Sequence, residues 1–479
     1  MIDVYVVMML IIIVITPACM RLFTLGQREK RLALSDMTEY IHSNKFYLHI
    51  LAYVVIIKFK KWTDELNEPL KARTGDYTYI VDALEGDFTL WFQRAFETRW
   101  LTEFLNFHYL FVYLFMIYVS TLYYIYSRDR DMADKMTLNY ILIYVIAVPW
   151  YLFFNVEVTS SYIPGMKALL YHDAFYTEFF LSHDPLDNSV PSLHIAIPFA
   201  MVLLNWLHVR QHGIRLRDWR HWPFHVFLCV NLAIFCFSIL YLGIHWAVDI
   251  PAGAAIGGMG ALFIHYLHPK LRAKPGETGL GVRRQRTHMV VESALMLLML
   301  VLLVLSIQFQ SLSQDERPSM RLGAGDTNAD IIDRIDFGQI AEMSVVNLDE
   351  SYSVYGMLVP LWDSIEGMDE GEIDWELLAQ SNEVVEIRPG LEARFNTSTP
   401  EVFQMLIIHN PDSNGGTVDV RITPDYGVEP LANALLMSCG SFAITAYVLL
   451  RVFRLRRAGR SWDDATPSSQ WEFAISEAE

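Results

Sequence analysis

Three side chains in this 479-residue chain have the types and spacing for phosphoryl chemistry. His194 follows Pro191, Ser192 and Leu193 in the stretch NSVPSLHIAIPFA, and His245 and Asp249 share the stretch YLGIHWAVDIPAGAAIG. A carboxylate beside an imidazole fixes its tautomer and raises its basicity, which makes the ring a competent nucleophile or base. A second imidazole can then protonate a departing oxygen. Two histidines and one carboxylate, with no serine or cysteine nucleophile implicated, suit phosphoryl transfer through a phosphohistidine. Taken singly, each residue has an ordinary use, since interfacial histidines are commonly just hydrated and Pro-Ser begins many helices. The joint pattern is much less ordinary.

A phosphate site also needs donors or positive charge. Pro191 and Ser192 begin the segment carrying His194, where backbone N–H groups favour an anion and the Ser192 hydroxyl adds another donor. The stretch IIKFKKW supplies Lys58, Lys60 and Lys61. Their alternative use is to anchor the chain at a membrane interface beside Trp62. His172, His183 and Asp187 lie in the loop before His194, as substrate contacts or as bystanders.

Apolar runs must position these groups. Hydrophobic residues make up 53% of the chain and the mean hydropathy is +0.25, too apolar for a water-soluble globule. Candidate spans are 2–20, 44–60, 104–126, 136–155, 193–208, 223–244, 247–267, 289–309 and 431–452, where a hydrocarbon core of about 30 Å takes roughly 20 residues per helix. The first run is read as a retained span because it lacks a basic leader and a cleavage site. Threading all nine places the basic connections RLFTLGQREKR, HVRQHGIRLRDWRHW, HPKLRAKPGETGLGVRRQR and RVFRLRRAGR on one side, the cytoplasmic side. The same threading brings His194 and His245 to the outer face, with Asp249 four residues beyond His245 and, on a helix, on its side. The four cysteines sit in apolar runs without metal-ligand spacing and read as packing residues.

The formal charge of −17 belongs to the parts that meet water. Residues 311–430 carry roughly two dozen acidic residues against a handful of basic ones. Within them, EVVEIRPGLEARFNTS and EVFQMLIIHNPDSNGGTVDVRITP alternate like half-buried strands, with SNGG as a turn. A small external β-sandwich is expected there, its acidity serving as a solvated surface of the salt-adapted archaeal kind or as a face for cations or a partner. No nucleic-acid partner is expected. The last stretch, from 453, is polar and reads as a disordered cytoplasmic tail.

These residues resemble the type 2 phosphatidic acid phosphatase and haloperoxidase superfamily. Pro191-Ser192-Leu193-His194 is similar to its second signature, usually Pro-Ser-Gly-His. Ser238, His245 and Asp249 match the spacing of its third, usually Ser-Arg, five residues, His, three residues, Asp. Lys61 through Glu68-Pro69 resembles the first, usually Lys, six residues, Arg-Pro. The leucine after Pro-Ser and the aromatic after His245 resemble the inositol phosphorylceramide synthase-like branch. The resemblance covers roughly residues 44–267. It implies His245 as nucleophile, Asp249 as its orienter and His194 as general acid, with Lys61 and Ser192 on phosphate and Lys58 as a further basic candidate. It implies no metal or cofactor. Two signature arginines are replaced, by Ile239 and Glu68, so the guanidinium grip on phosphate is lost.

The expected fold is an all-α polytopic membrane protein: a six-helix phosphatase-type bundle, about three extra spans and a small extracytoplasmic β-sandwich-like domain. The boundaries are 1–43 for the first span and its connection, 44–270 for the catalytic bundle and 271–310 for a basic loop and span. Residues 311–430 form the acidic domain, 431–452 the last span and 453–479 the tail. The expected activity is hydrolysis or transfer of the phosphoryl headgroup of a phospholipid or isoprenoid phosphate, at the outer leaflet of the cell membrane. The alternative is a non-catalytic membrane protein whose acidic domain binds a partner.

Overall fold

The computed structural model describes residues 4–26, 31–171, 188–272, 319–333, 342–360, 368–369, 372–397, 403–425, 429–457 and 459. The expected span at 289–309, the basic connection before it, most of the C-terminal tail, and His172, His183 and Asp187 lie outside the described residues. The chain divides into two compact units. One comprises Met1–Lys61, Asp76–Ile307 and Met437–Glu479, and the other Trp62–Gly75 and Gln308–Leu436.

The first unit is helical. In chain order the helices are α1 (Val4–Phe23), α2 (Met37–Ser43), α3 (Tyr47–Thr74, running on into the second unit), α4 (Thr78–Glu85) and α5 (Phe88–Phe96). Then come α6 (Arg99–Tyr126), α7 (Arg130–Phe153), α8 (Leu193–Gln211), α9 (Trp222–Tyr241) and α10 (Asp249–Arg272). A short α11 (Trp375–Ser381) belongs to the second unit, and α12 (Glu429–Arg457) follows it. Among the described residues six helices are long and apolar enough to cross a membrane: α6, α7, α8, α9, α10 as far as Pro269, and α12 over Pro430–Arg454. They mark the chain as an integral membrane protein. The expected span at 44–60 is the first half of α3, which falls outside that set because its apolar run ends at Lys58.

Glycines decide how closely the central helices meet. A Cβ on Gly253 of α10 would lie 2.8 Å from the Ser192 carbonyl oxygen, and one on Gly257 only 2.4 Å from that of Ala196 on α8. One on Gly260 would lie 2.6 Å from Cδ1 of Ile143 on α7. Small residues four apart let two helix backbones touch, the standard device where lipid supplies no hydrophobic drive. The result places the start of α8, with Ser192 and His194, against the start of α10, with Asp249. On the other flank, Ser441 Oγ of α12 donates to the Ile146 carbonyl at 3.0 Å and Tyr447 packs edge-on against Phe263.

The far end of the same bundle is tied by charge. Asp129, between α6 and α7, meets His221 at 3.2 Å and Arg220 at 3.3 Å, and Tyr123 reaches the other nitrogen of His221 at 2.8 Å. Burial alone would raise the Asp129 carboxyl, but the His221 hydrogen bond and the charges around it hold it below the ordinary carboxylate range. Asp131 pairs with Lys135, with His208 at 3.2 Å and with His268 at 3.1 Å. Asp134 receives His49 of α3 at 3.0 Å and His268 at 3.4 Å. Six helices are thereby joined at this end.

The second unit is an antiparallel β-sandwich. Its strands are β1 (Met320–Leu322), β2 (Thr327–Asp333), β3 (Glu342–Asn347), β4 (Val354–Pro360), β5 (Met368–Asp369), β6 (Glu372–Ile373), β7 (Val385–Ile387), β8 (Glu392–Asn396), β9 (Phe403–His409) and β10 (Val418–Asp425). One sheet has the order β1-β10-β3-β8 and the other β2-β9-β4-β7, while β5 and β6 pair separately. Val345, Phe395, Val418 and Val420 of the first sheet meet Val354, Ile387, Leu406 and Ile408 of the second in one core. Period-two alternation sends Met405 and Ile407 of β9 to the opposite face, where they pack with Leu378 of α11. The expected turn at SNGG lies between β9 and β10, with Gly415 at φ +63°, but those strands belong to different sheets and do not form a hairpin.

Gly257→Ala is expected to destabilise the purified protein by about 1–3 kcal/mol, the usual cost of overpacking. Gly258→Ala, whose Cβ would meet only Phe199 Cε1 at 3.9 Å, is expected to be tolerated. Thermal unfolding in detergent checks both, and equal midpoints for the two variants would contradict the close α8–α10 packing.

Candidate active site

His245 lies in the turn between α9 and α10. Residues 242–248 are not helical, so His245 and Asp249 do not share a helix face as their spacing suggested. The turn itself makes the pair. Gly243 enters it at φ +79°, and a Cβ there would lie 2.3 Å from the Lys167 carbonyl oxygen, so the position requires glycine. Asp249 Oδ2 accepts from the Trp246 amide at 2.9 Å, which holds the carboxylate 3.1 Å from His245 Nδ1.

The same Nδ1 lies 2.8 Å from the Ser189 carbonyl oxygen. A carbonyl only accepts, so Nδ1 carries the ring proton and Nε2 presents its lone pair. Two hydroxyls converge on that lone pair, Tyr109 at 3.1 Å and Ser192 at 3.2 Å. Tyr109, Ser192 and Asp249 are wholly buried, and His245 is 8% exposed. Ser192 ends the approach to α8 without its side chain capping the helix, which leaves its oxygen for His245.

His194 opens α8 and is held by rings. Its imidazole stacks on Tyr109 at 3.7 Å between centroids and meets Tyr113 at 3.9 Å with a 31° tilt, with Phe235 at 5.8 Å. One phenol therefore touches both imidazoles, by its hydroxyl and by its face. Tyr109 sits in a π-helical segment of α6, His108–Val112, which His108 pins to Asn231 of α9 at 2.8 Å. Such segments interrupt the regular stagger of a helix and re-aim its side chains.

A second layer fixes the turn. Glu85 at the end of α4 accepts from the amides of Ala247 and Val248, the latter at 3.3 Å. Burial pushes its carboxyl up, against the pull of those two N–H groups. The buried Gln93 side chain of α5 spans Lys167 and Tyr241: Nε2 donates to their carbonyls at 2.9 and 2.8 Å, and Oε1 accepts the Lys167 amide at 2.9 Å. Trp246 Nε1 donates to the Glu157 carbonyl at 2.8 Å.

The structure thus brings together His194, His245, Asp249 and Ser192 from the sequence reading. The partners of His245 are Tyr109, Ser192, Ser189 and Asp249, and neither Lys58 nor Lys61 of α3 is among them. The side chain of Glu68 lies outside the described residues. Ser238 is buried and donates back to the Ile234 carbonyl in its own helix. Ile239 is buried in the bundle core. Among the described residues no cluster of His, Cys, Asp and Glu is suited to a metal ion. Sequence reasoning missed Tyr109, Glu85 and Gln93, whose only signals are an aromatic in an aromatic-rich run and polar residues in short amphipathic helices.

Residues 88–273 match the family model of the PAP2 superfamily. The matched stretch contains Tyr109, Ser192, His194, His245 and Asp249 and begins after Lys58 and Lys61, which supports placing this region in that superfamily. No curated protein matches the chain significantly.

Because the folded Glu85 carboxyl titrates above its unfolded value, the folded state binds the extra proton between the two. Stability then falls as pH rises through and beyond about 4.5, the ordinary glutamate value. Glu85→Gln keeps an acceptor for the two amides and is expected to flatten that decline. Thermal midpoints of both proteins across pH 4 to about 7 check it, and parallel curves would contradict it.

Proposed function

We propose that this protein is a membrane phosphatase or phosphotransferase that acts on a phosphorylated lipid through a His245 phosphoenzyme. The observation that carries the reading is the convergence on His245: a carboxylate and a carbonyl on Nδ1, two hydroxyls on the Nε2 lone pair, and a second imidazole across one phenol ring. Nε2 attacks phosphorus, the bond from phosphorus to the leaving oxygen breaks, and His194 gives its proton to that oxygen. Neutral His194 then takes a proton from water or an alcohol as that oxygen attacks the phosphohistidine, and Nε2 regains its lone pair. Asp249 stabilises the positive charge that develops on the ring during attack. The match of residues 88–273 to the PAP2 superfamily model supports the same chemistry.

In this reading the site opens to the outer leaflet, because the basic connections of the sequence belong on the cytoplasmic side and the site lies at the other end of the helices. The substrate is a phospholipid or an isoprenoid phosphate. The direct partners of Nε2 are uncharged hydroxyls, and Ile239 stands where the superfamily signature has arginine. Both features suit a singly charged phosphodiester better than a dianionic monoester. Transfer of a headgroup to a hydroxyl acceptor, as in the inositol phosphorylceramide synthase-like branch, fits that balance, and Leu193 and Trp246 fit the branch as well. A rival role as a partner-binding membrane protein draws on a cleft of about 520 Å³ in the sandwich unit, lined by Tyr355, Asp374, Trp375, Glu376 and His409.

His245→Gln is expected to abolish turnover, and His194→Gln to slow it by roughly 10²–10⁴-fold, the range for a general acid. Purified full-length protein is assayed against radiolabelled phosphatidic acid, phosphatidylinositol and polyprenyl phosphates, with and without an alcohol acceptor. Phosphate released without acceptor marks a hydrolase, and labelled product only with acceptor marks a transferase. An acid-labile, base-stable phosphoenzyme is expected in the wild type alone. Wild-type turnover matched by His245→Gln would sink the proposal.

A further inference from the structure

We propose that Tyr109 is a catalytic residue, its hydroxyl donating a hydrogen bond to a phosphoryl oxygen as His245 Nε2 bonds to phosphorus; this rests on the reading of His245 as nucleophile. The phenol lies 3.1 Å from the lone pair that would attack. When that lone pair becomes the N–P bond it ceases to accept, and the hydrogen bonds that the Tyr109 and Ser192 hydroxyls give to Nε2 are released. The non-bridging oxygens of the incoming phosphorus occupy the space just beyond Nε2, within reach of the same two donors. Tyr109 keeps its proton throughout, since the leaving oxygen is protonated by His194.

Three further observations converge on this role. First, Tyr109 and Ser192 are wholly buried, where a fixed donor acts on developing charge far more strongly than in water. Second, the buried Ile239 cannot supply the guanidinium that the third signature carries at that position. A donor to the equatorial oxygens must come from elsewhere, and Tyr109 is placed to give one. Third, the π-helical segment containing Tyr109, anchored by the His108–Asn231 hydrogen bond, aims the phenol at Nε2 and lays its face on His194. The same ring sets the spacing between nucleophile and acid.

Tyr109→Phe keeps the stacked ring and removes only the O–H. The full-length enzyme is assayed in detergent with the lipid it turns over, and with orthovanadate as a mimic of pentacoordinate phosphorus. The expected result is a kcat lower by roughly 10–10³-fold, in the range for loss of one transition-state donor. KM and the thermal midpoint are expected to stay near wild type, and vanadate inhibition to weaken in parallel with kcat. An unchanged kcat would overturn the proposal, as would a loss carried by KM with vanadate affinity intact. Should Tyr109→Phe fail to fold, site-specific fluorotyrosine at 109 alters the acidity of the hydroxyl in nearly the same shape, and kcat must then respond. If His245→Gln retains turnover, the nucleophile reading fails and Tyr109 with it. If His245→Gln is inactive and Tyr109→Phe keeps the wild-type kcat, only the present inference fails.

Discussion

One hydrogen bond sets the chemical character of the site: the contact of His245 Nδ1 with the Ser189 carbonyl at 2.8 Å. Asp249 and the carbonyl both accept at Nδ1, so together they favour the tautomer with the proton there and, in the neutral ring, the lone pair on Nε2. The described neighbours of Nε2 are two hydroxyls, those of Tyr109 and Ser192. Ser189 is itself held, its Oγ donating to the Ile244 carbonyl at 3.1 Å, so the carbonyl and the imidazole are fixed within one local frame.

That frame has to be carried by helices whose ends meet, and lipid gives them little reason to do so. The glycines of α10 answer this by permitting backbone contact with α8 at Ser192 and Ala196, so that van der Waals packing takes the place of hydrophobic drive. Had either position carried a side chain, the start of α8 would stand off from the turn holding His245, and Ser192 would lose Nε2. The amphipathic helices α4 and α5 complete the arrangement from the side, placing Glu85 on two amides of the turn and Gln93 on the carbonyls flanking it.

The sequence made His194, His245 and Asp249 legible because each is a polar residue at the border of an apolar run, where composition offers no structural reason for it. It made the pairing of His245 with Asp249 legible for the wrong local reason, a helix face, when the turn does the work. Tyr109 was illegible: in the run FHYLFVYLF every aromatic looks alike, and only the structure shows which one meets His245 Nε2. Lys61 was assigned to phosphate by its place in the first signature and Lys58 by its charge, while the described partners of His245 are Tyr109, Ser189, Ser192 and Asp249. In the sandwich, alternation revealed which faces of β9 and β10 are buried but not which strands they pair with. A period of two identifies a face and leaves the neighbour open.

The two ends of the bundle are secured by different contacts. At the end remote from His245, Asp129, Asp131 and Asp134 are paired to histidines, a lysine and an arginine from α3, α7, α8, α10 and the stretch entering α9. At the His245 end the carboxylates of Asp249 and Glu85 hold the turn, while the described contacts of Nε2 are the Tyr109 and Ser192 hydroxyls. The two ends are linked along α8 and α10 by their close backbone approach at Ser192 and Ala196.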